Sequence, residues 1–223
     1  MKIGLGATTC NRPLMLQAFK DSVERYNITP DTLYIHDDTD TRHGVAYSKN
    51  MCLYNLQHCD LILLLDDDCL FNSPYALTYI AEAHEMTQQN HFLLMHPDHH
   101  DFVKTWKTPE LNIELFNDCS GVFMSITKEA FNKVGYLDSR YKRYGYEHAG
   151  YSRRIHLTGL NAKPFMCPEG IRDHFRALDF EGNVISSISE QEKNEFSRIG
   201  GHNDLIYQDE LNNWHTPYRT FNP

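Results

Sequence analysis

Three adjacent aspartates, Asp66, Asp67 and Asp68, directly follow a short apolar run at 61–65. Neighbouring carboxylates repel one another and are costly to bury, so solvation alone explains their position poorly. A divalent cation would offset the repulsion, and Mg²⁺ and Mn²⁺ favour hard oxygen ligands and often hold substrate phosphates as well. The triplet therefore predicts a metal site, and a solvated loop with a helix cap is the alternative.

Side chains alternate in direction along an extended chain. Asp66 and Asp68 are therefore expected to face one side and Asp67 the other, which is an Asp-x-Asp arrangement. One carboxylate of such a pair can meet a ribose or a metal-bound water, and the other can meet the metal itself.

The elements that must position these carboxylates form an alternating pattern. Strands are predicted over 2–8, 32–36 and 61–65, a helix is predicted after Asn11 as N-cap, and a second helix over 44–58. Strands that alternate with helices predict an α/β fold with a mixed, mostly parallel sheet flanked by helices.

Polar residues stand at the ends of all three predicted strands. These are Thr8 and Thr9, Asp37 and Asp38, and residues 66–68. Ligands of open α/β sheets bind beyond the carboxyl ends of the strands, so the sequence predicts that these side chains converge on one crevice.

The second half of the chain is less regular. Residues 88–115 show no clear period, whereas a strand is expected over 121–126 and a helix over 147–157. Thr127 is expected to cap a short helix that Gly135 ends.

Composition excludes several classes of protein. The chain has 223 residues, 41% of them hydrophobic, which is enough apolar material for a core. Its longest apolar runs fall far short of the ~20 residues of a membrane span, and the N-terminus has no signal-peptide pattern. The six cysteines include no C-x-x-C pair, so free thiols and a cytoplasmic location are expected, with two disulfides in an oxidising compartment as the alternative.

Charge bears on possible partners. The formal net charge of −9 disfavours a polyanion such as nucleic acid over the whole surface. A local basic cluster keeps a nucleic-acid acceptor open, because phosphate contacts need only a patch; its members are Arg140, Lys142, Arg143, Arg153 and Arg154.

Five segments, taken in order, resemble the GT-A glycosyltransferases, especially family 2 and its relatives. Residues 8–13 look like the family's T-x-x-N-R-P, 36–40 like its V-D-D-G-S-T-D loop, and 44–50 like G-x-x-x-A-R-N. Residues 63–68 are similar to its Asp-x-Asp strand end, and 120–148 to its late glycine-rich G-x-E-D region. Each segment alone is a weak signal, but the ordered set is specific.

The resemblance implies a nucleotide-sugar site and a Mn²⁺ or Mg²⁺ cofactor. It implies that Asp66 lies toward the ribose and that Asp68 binds the metal, with Asp66 and His174 as further candidate ligands; a surface histidine is the alternative for His174. The implied donor-binding residues are Thr8, Thr9, Arg12, Asp37, Asp38, Lys49, Asp66 and Asp67.

The same resemblance implies a base that deprotonates the acceptor hydroxyl. The family's second acid is replaced by His148, which leaves Glu147 as base, His148 as base, or no base of this kind. A structural ion pair with a nearby arginine or lysine is the alternative for Glu147. The expected acceptor-binding residues are Trp106, Asp118, Tyr144 and Tyr146.

We thus expect a GT-A domain over 1–180, divided into a nucleotide-sugar half at 1–118 and an acceptor half at 119–180, with an extension at 181–223 that packs on the body. The expected activity is transfer of a sugar from a UDP-sugar to a hydroxyl of a glycan or another compound. The alternatives are a sugar nucleotidylyltransferase, an inactive nucleotide- or glycan-binding module, and a hydroxylated nucleobase in DNA as the acceptor.

Overall fold

Ten strands form three separate sheets in the computed structural model, which describes residues 1–182, 202–213 and 218–223. The strands are β1 (Ile3–Thr9), β2 (Thr32–Asp37), β3 (Leu61–Asp66), β4 (Cys69–Phe71), β5 (His91–Leu93), β6 (Phe102–Trp106), β7 (Ile113–Phe116), β8 (Phe123–Thr127), β9 (Met166–Pro168) and β10 (Phe175–Ala177). The helices are α1 (Pro13–Arg25), α2 (Val45–Leu56), α3 (Ala76–Thr87), α4 (Lys128–Val134), α5 (Glu147–Leu157) and α6 (residues 202–212).

The central sheet has the order β2-β1-β3-β8-β5. β1 pairs in parallel with both β2 and β3, while β8 is antiparallel to its neighbours β3 and β5. The expectation of a mixed, mostly parallel sheet flanked by helices is confirmed. The first five residues of β3 are completely buried, as a central parallel strand requires.

Register places the polar strand ends side by side. Thr8 is the partner of Asp66 across β1 and β3, and Thr9 is the partner of Asp37 across β1 and β2. The three strands therefore deliver their polar ends to one edge of the sheet, as the sequence predicts.

The start of α1 differs from the prediction. Arg12, not Asn11, occupies the N-cap position, and it makes no side-chain capping bond. Asn11 instead adopts a left-handed backbone conformation with φ 53°, and its backbone N–H donates to the Thr39 hydroxyl at 2.7 Å. Asparagine tolerates that conformation better than most residues, so it serves the turn rather than the helix. The prediction for α4 is confirmed, since Thr127 caps it and Gly135 follows it with φ 67°.

The unassigned region 88–115 contains β5, β6 and most of β7. β6, β7 and β9 form an antiparallel sheet in that order, and β4 pairs with β10 in a separate two-stranded sheet. β4 begins directly after the aspartate triplet. Asp68 therefore lies between β3 of the central sheet and the β4-β10 sheet.

The described part of the C-terminal segment packs on the body. Glu210 of α6 pairs with Arg154 of α5 at 2.8 Å, and both side chains are 1% exposed. Arg219 forms a bridge to Gly135. The expected packing of residues 183–201 and 214–217 lies outside the described residues. All six cysteines are free, and no helix among the described residues is long and apolar enough to cross a membrane.

Candidate functional site

A cavity of about 810 Å³ opens at the carboxyl ends of β1 and β3. It is lined on one side by residues that follow the parallel strands and on the other by the segment that leads into α5. Many of the residues singled out in the sequence line it: Thr8, Thr9, Arg12, Asp38, Asp66, Asp68, Asp118, Tyr144, Tyr146, Glu147 and His148.

The aspartate triplet alternates across the cavity wall. Asp66 and Asp68 line the cavity, whereas Asp67 is fully buried behind it. The Thr9 hydroxyl donates to Asp67 at 2.6 Å, and the Arg12 guanidinium pairs with both Asp67 and Asp68, at 2.8 Å in the second case. The carboxylates of Asp66 and Asp68 therefore face the cavity, and Asp67 helps to hold Arg12 from behind it.

Burial shapes the titration of the triplet. It raises the pKa of Asp67 to about 7, even though Arg12 acts in the opposite direction. It also raises the pKa of Asp68, and the negative charge of Asp66 adds to that effect. A cation placed between Asp66 and Asp68 would relieve this repulsion.

Asp66 is held as a carboxylate by buried partners. Burial opposes its ionisation, but the charge of Lys49 and the hydrogen bonds from Lys49 and Thr8 lower the pKa of Asp66 below its ordinary value. The Lys49 ammonium lies 2.9 Å from Asp66, and the Thr8 hydroxyl donates to the same carboxylate at 2.9 Å. Lys49 is fully buried and does not line the cavity, so its contact with a donor would pass through Asp66.

Asp37 and Asp38 have different environments. Asp38 is 2% exposed, and it accepts hydrogen bonds from the backbone N–H groups of His43 and Gly44 at 2.9 and 2.8 Å. Asp37 is exposed, accepts from Thr39 and does not line the cavity. Asp38 thus shapes the loop that forms one wall of the cavity.

Glu147 and His148 form a buried pair at the start of α5. The Nδ1 atom of His148 lies 3.0 Å from Oε1 of Glu147, and the two residues are 8% and 3% exposed. Among the described residues, neither Nε2 of His148 nor Oε2 of Glu147 has a hydrogen-bond partner. Within the described ranges Glu147 makes no ion pair with an arginine or lysine, which is the structural alternative for it, and Arg154 pairs with Glu210 instead.

A glycine makes room for the imidazole. A Cβ atom added to Gly121 would lie 1.8 Å from the His148 ring, so only a residue without a side chain fits there. The carbonyl of Gly121 accepts from the Lys49 ammonium at 2.5 Å.

The segment 142–146 carries Tyr144 and Tyr146, which are predicted to bind the acceptor, and it is held by α6. Asn203, which is 1% exposed, accepts from the backbone N–H of Lys142 and donates to the carbonyls of Lys142, Tyr144 and Gly145 at 2.9 to 3.2 Å. The segment needs such support because Arg143, Gly145 and Tyr146 all have positive φ.

Two further predicted residues do not line the cavity. His174 stacks on Tyr79 with ring centroids 4.3 Å apart and does not line the cavity. Trp106 lies on β6 and lines a separate groove. Asp118, by contrast, lines the cavity and accepts from the backbone N–H of Asp101 at 2.8 Å.

Several cavity residues were missed by sequence reasoning. Asp179 follows β10 and adds to the negative charge around Asp68. Tyr207 of α6 stacks on Tyr146 with centroids 5.2 Å apart, and Arg153 lies over its ring at 5.7 Å. No local pattern marks them, because each is brought in by a contact distant in sequence.

The residues fit a divalent cation only with help from a ligand. No group of three or more histidine, cysteine, aspartate or glutamate side chains in the described ranges is arranged to hold a metal. Two cavity-facing carboxylates, Asp66 and Asp68, are nevertheless present, and Mg²⁺ sites commonly use one or two carboxylates together with substrate phosphates.

Comparison with known proteins identifies the fold. No family model matches the sequence, and no curated protein sequence matches it. The structure is similar to mannosyltransferase PcManGT from Pyrobaculum calidifontis in complex with GDP-Man and Mn²⁺ (TM-score 0.52, 13% identity, 76% of this chain and 55% of that one). It is also similar to S. aureus TarS 1–349 in complex with UDP (TM-score 0.52, 13% identity, 78% and 60%).

A third similar structure is a Drosophila beta1,4-galactosyltransferase 7 mutant in complex with manganese, UDP-Gal and xylobiose (TM-score 0.55, 15% identity, 86% and 78%). The chain spans little more than half the length of PcManGT and of the TarS fragment. At these identities the likeness concerns the fold. The chain therefore has the fold of the GT-A-type glycosyltransferases, as its sequence motifs indicate.

Proposed function

We propose that this protein is a divalent-metal-dependent glycosyltransferase that moves a sugar from a nucleotide-sugar, most simply a UDP-sugar, to an acceptor hydroxyl. The proposal rests on one observation: the same cavity is lined by two sets of reactive groups. Asp66 and Asp68 face it from the end of β3, and Glu147 and His148 face it from α5. The solved neighbours with UDP, UDP-Gal or GDP-Man support a nucleotide-sugar donor.

On the donor side, Asp66 and Asp68 would hold Mn²⁺ or Mg²⁺ together with the diphosphate. When bound, the cation neutralises charge on the leaving nucleoside diphosphate. Arg12 adds a fixed positive charge beside Asp68, and Thr8, Thr9 and Asp38 line the part of the cavity assigned to the nucleoside.

On the acceptor side, the pair of Glu147 and His148 would accept the proton. Nδ1 of His148 lies 3.0 Å from Oε1 of Glu147, and a proton on Nδ1 would leave the lone pair of Nε2 available. Nε2 takes the proton from the acceptor hydroxyl, the oxygen bonds to the anomeric carbon, and the bond from that carbon to the diphosphate breaks. Asp118, Tyr144 and Tyr146 would contact the acceptor.

The test is nucleotide release from a panel of UDP-, GDP- and CMP-sugars with Mn²⁺ and with EDTA. We expect release from one donor class with Mn²⁺, a loss of more than tenfold for Asp68→Asn, and normal release for Asp21→Asn, an exposed aspartate on α1. His148→Gln should bind the donor normally in calorimetry but transfer at least tenfold more slowly. Failure of every nucleotide-sugar to bind would overturn the proposal.

A further inference from the structure

A second groove, of about 410 Å³, lies on the β6-β7-β9 sheet and shares no lining residue with the cavity. An indole and three ammonium groups surround it. Its lining residues are Lys104, Thr105, Trp106, Lys107, Leu115, Ala162 and Lys163.

The three lysines give the groove a positive charge on an acidic protein. Lys104, Lys107 and Lys163 are all exposed, and within the described ranges none of them pairs with a carboxylate. The chain as a whole carries a formal charge of −9, so this concentration of positive charge runs against the general surface. An anionic ligand would be drawn to this place in preference to the rest of the molecule.

The groove also offers an apolar face. Trp106 is partly exposed and lines the groove together with the lysines, and β6 is an outer strand of its sheet. The same strand leaves Phe102 41% and Val103 47% exposed. A flat aromatic surface beside ammonium groups suits a ligand that has apolar C–H faces and negative charges at intervals.

The groove and the cavity are lined by residues that lie close together in the chain. Leu115 lines the groove, whereas Asn117 and Asp118, just beyond the end of β7, line the cavity. Three residues of chain span at most about 10 Å. Along the neighbouring segment, Lys163 lines the groove and Phe165 lines the cavity. A chain of a few sugar rings could therefore occupy both sites at once.

We propose that this groove binds an acidic saccharide chain, with a sugar ring on Trp106 and its carboxylates or phosphates on the three lysines. The role of that chain as part of the acceptor rests on the glycosyltransferase function proposed above. The groove itself does not depend on that function, because its residues bind without nucleotide or metal.

The experiment measures binding of a hyaluronan hexasaccharide to the full chain without nucleotide, with neutral maltohexaose and oligothymidylate as comparison probes. We expect hyaluronan to bind, maltohexaose to bind at least tenfold more weakly, and hyaluronan affinity to fall as salt rises. Trp106→Ala should weaken hyaluronan binding about tenfold. Replacing Lys104 and Lys163 together with glutamine should weaken it by a similar factor.

Two further variants separate this site from the cavity. Lys133→Gln, an exposed lysine on α4, should bind hyaluronan as the wild type does. Asp68→Asn should also bind it normally, even though its nucleotide release is lost. Absence of hyaluronan binding, equal binding of maltohexaose, tighter binding of oligothymidylate, or insensitivity to Trp106→Ala would each overturn the proposal. None of these results would affect nucleotide release, so the two proposals fail independently.

Discussion

Two buried histidines should make the stability of this protein fall as the pH drops below 6.5. Burial lowers the pKa of His84 to about 4 and that of His91 to about 3. Both rings are held neutral by the same pattern of bonds. Nδ1 of each donates to a backbone carbonyl, of Gln89 at 2.7 Å and of Ser125 at 2.9 Å. Each Nε2 then accepts from a serine hydroxyl at 2.8 Å.

The sign follows from proton uptake by the two states. Below pH 6.5 the unfolded chain protonates both histidines, whereas the folded chain takes up neither proton until the pH nears 4. Stability is therefore complete above 6.5 and is lost as the pH falls. Each histidine contributes up to about 1.4 kcal/mol per pH unit, so the two together account for a loss of roughly 5 kcal/mol between pH 6.5 and 4.5, comparable to the whole stability of many domains. Asp67 acts in the opposite direction, because its raised pKa lets the folded chain bind that proton first, so the net loss is smaller than the histidine contribution.

The assay is urea unfolding, followed by circular dichroism at pH 7.5, 6.5, 5.5 and 4.5. His84→Gln should be less stable than the wild type at pH 7.5 but should lose less stability on acidification, because one of the two groups is gone. His202→Gln, an exposed position on α6, should keep the wild-type pH dependence. A free energy of unfolding that stays constant from pH 6.5 to 4.5 would refute the reasoning, and so would an unchanged slope in His84→Gln.

Three substitutions test the packing around the site. Gly121→Ala should displace the His148 ring and reduce sugar transfer at least tenfold with donor binding retained, since the new Cβ would lie 1.8 Å from that ring; calorimetry and transfer assays measure both. Asn203→Ala should weaken acceptor use more than nucleotide binding, seen as a raised acceptor KM, because four backbone bonds are lost. Glu210→Gln should lower the free energy of unfolding by about 3 kcal/mol, measured in urea, because Arg154 then keeps a buried charge without its carboxylate.

Controls for these variants lie on the same elements. Asn212→Ala, exposed on α6, should leave both acceptor KM and stability unchanged. An Asn203→Ala protein that lost nucleotide binding to the same degree would argue against a role confined to the acceptor side. Full transfer by Gly121→Ala would show that the position of His148 does not matter for the reaction.

The parts of the fold that the sequence predicts are those with strong local signals. The run at 61–65 has no polar residue, so its identity as a buried strand and the polar turn after it follow directly, and the structure confirms both. Alternation along that extended chain also places Asp66 and Asp68 on the cavity and Asp67 behind it. Asparagine favours both helix N-caps and left-handed turns, and at Asn11 the structure has the turn.

The rest depends on contacts between distant residues. β6 has no simple alternation because it is an outer strand with Phe102 and Val103 exposed, so its pattern resembles a loop. The resemblance places His174 near the metal, but its neighbour in the fold is Tyr79, which lies almost a hundred positions away. Tyr207 enters the cavity through the docking of α6, which no pattern near residue 207 specifies.

The buried ammonium of Lys49 joins the two halves of the site. It touches Asp66, from the strand that presents the carboxylates proposed to bind the metal, and the carbonyl of Gly121, whose missing side chain makes room for His148. A change at Asp66 would leave that ammonium with one fewer partner in a place without water, and the strain would reach the imidazole through Gly121. If the proposed function holds, donor recognition and proton transfer are therefore linked through Lys49, and attempts to alter donor choice through Asp66 should also alter the pH profile of transfer.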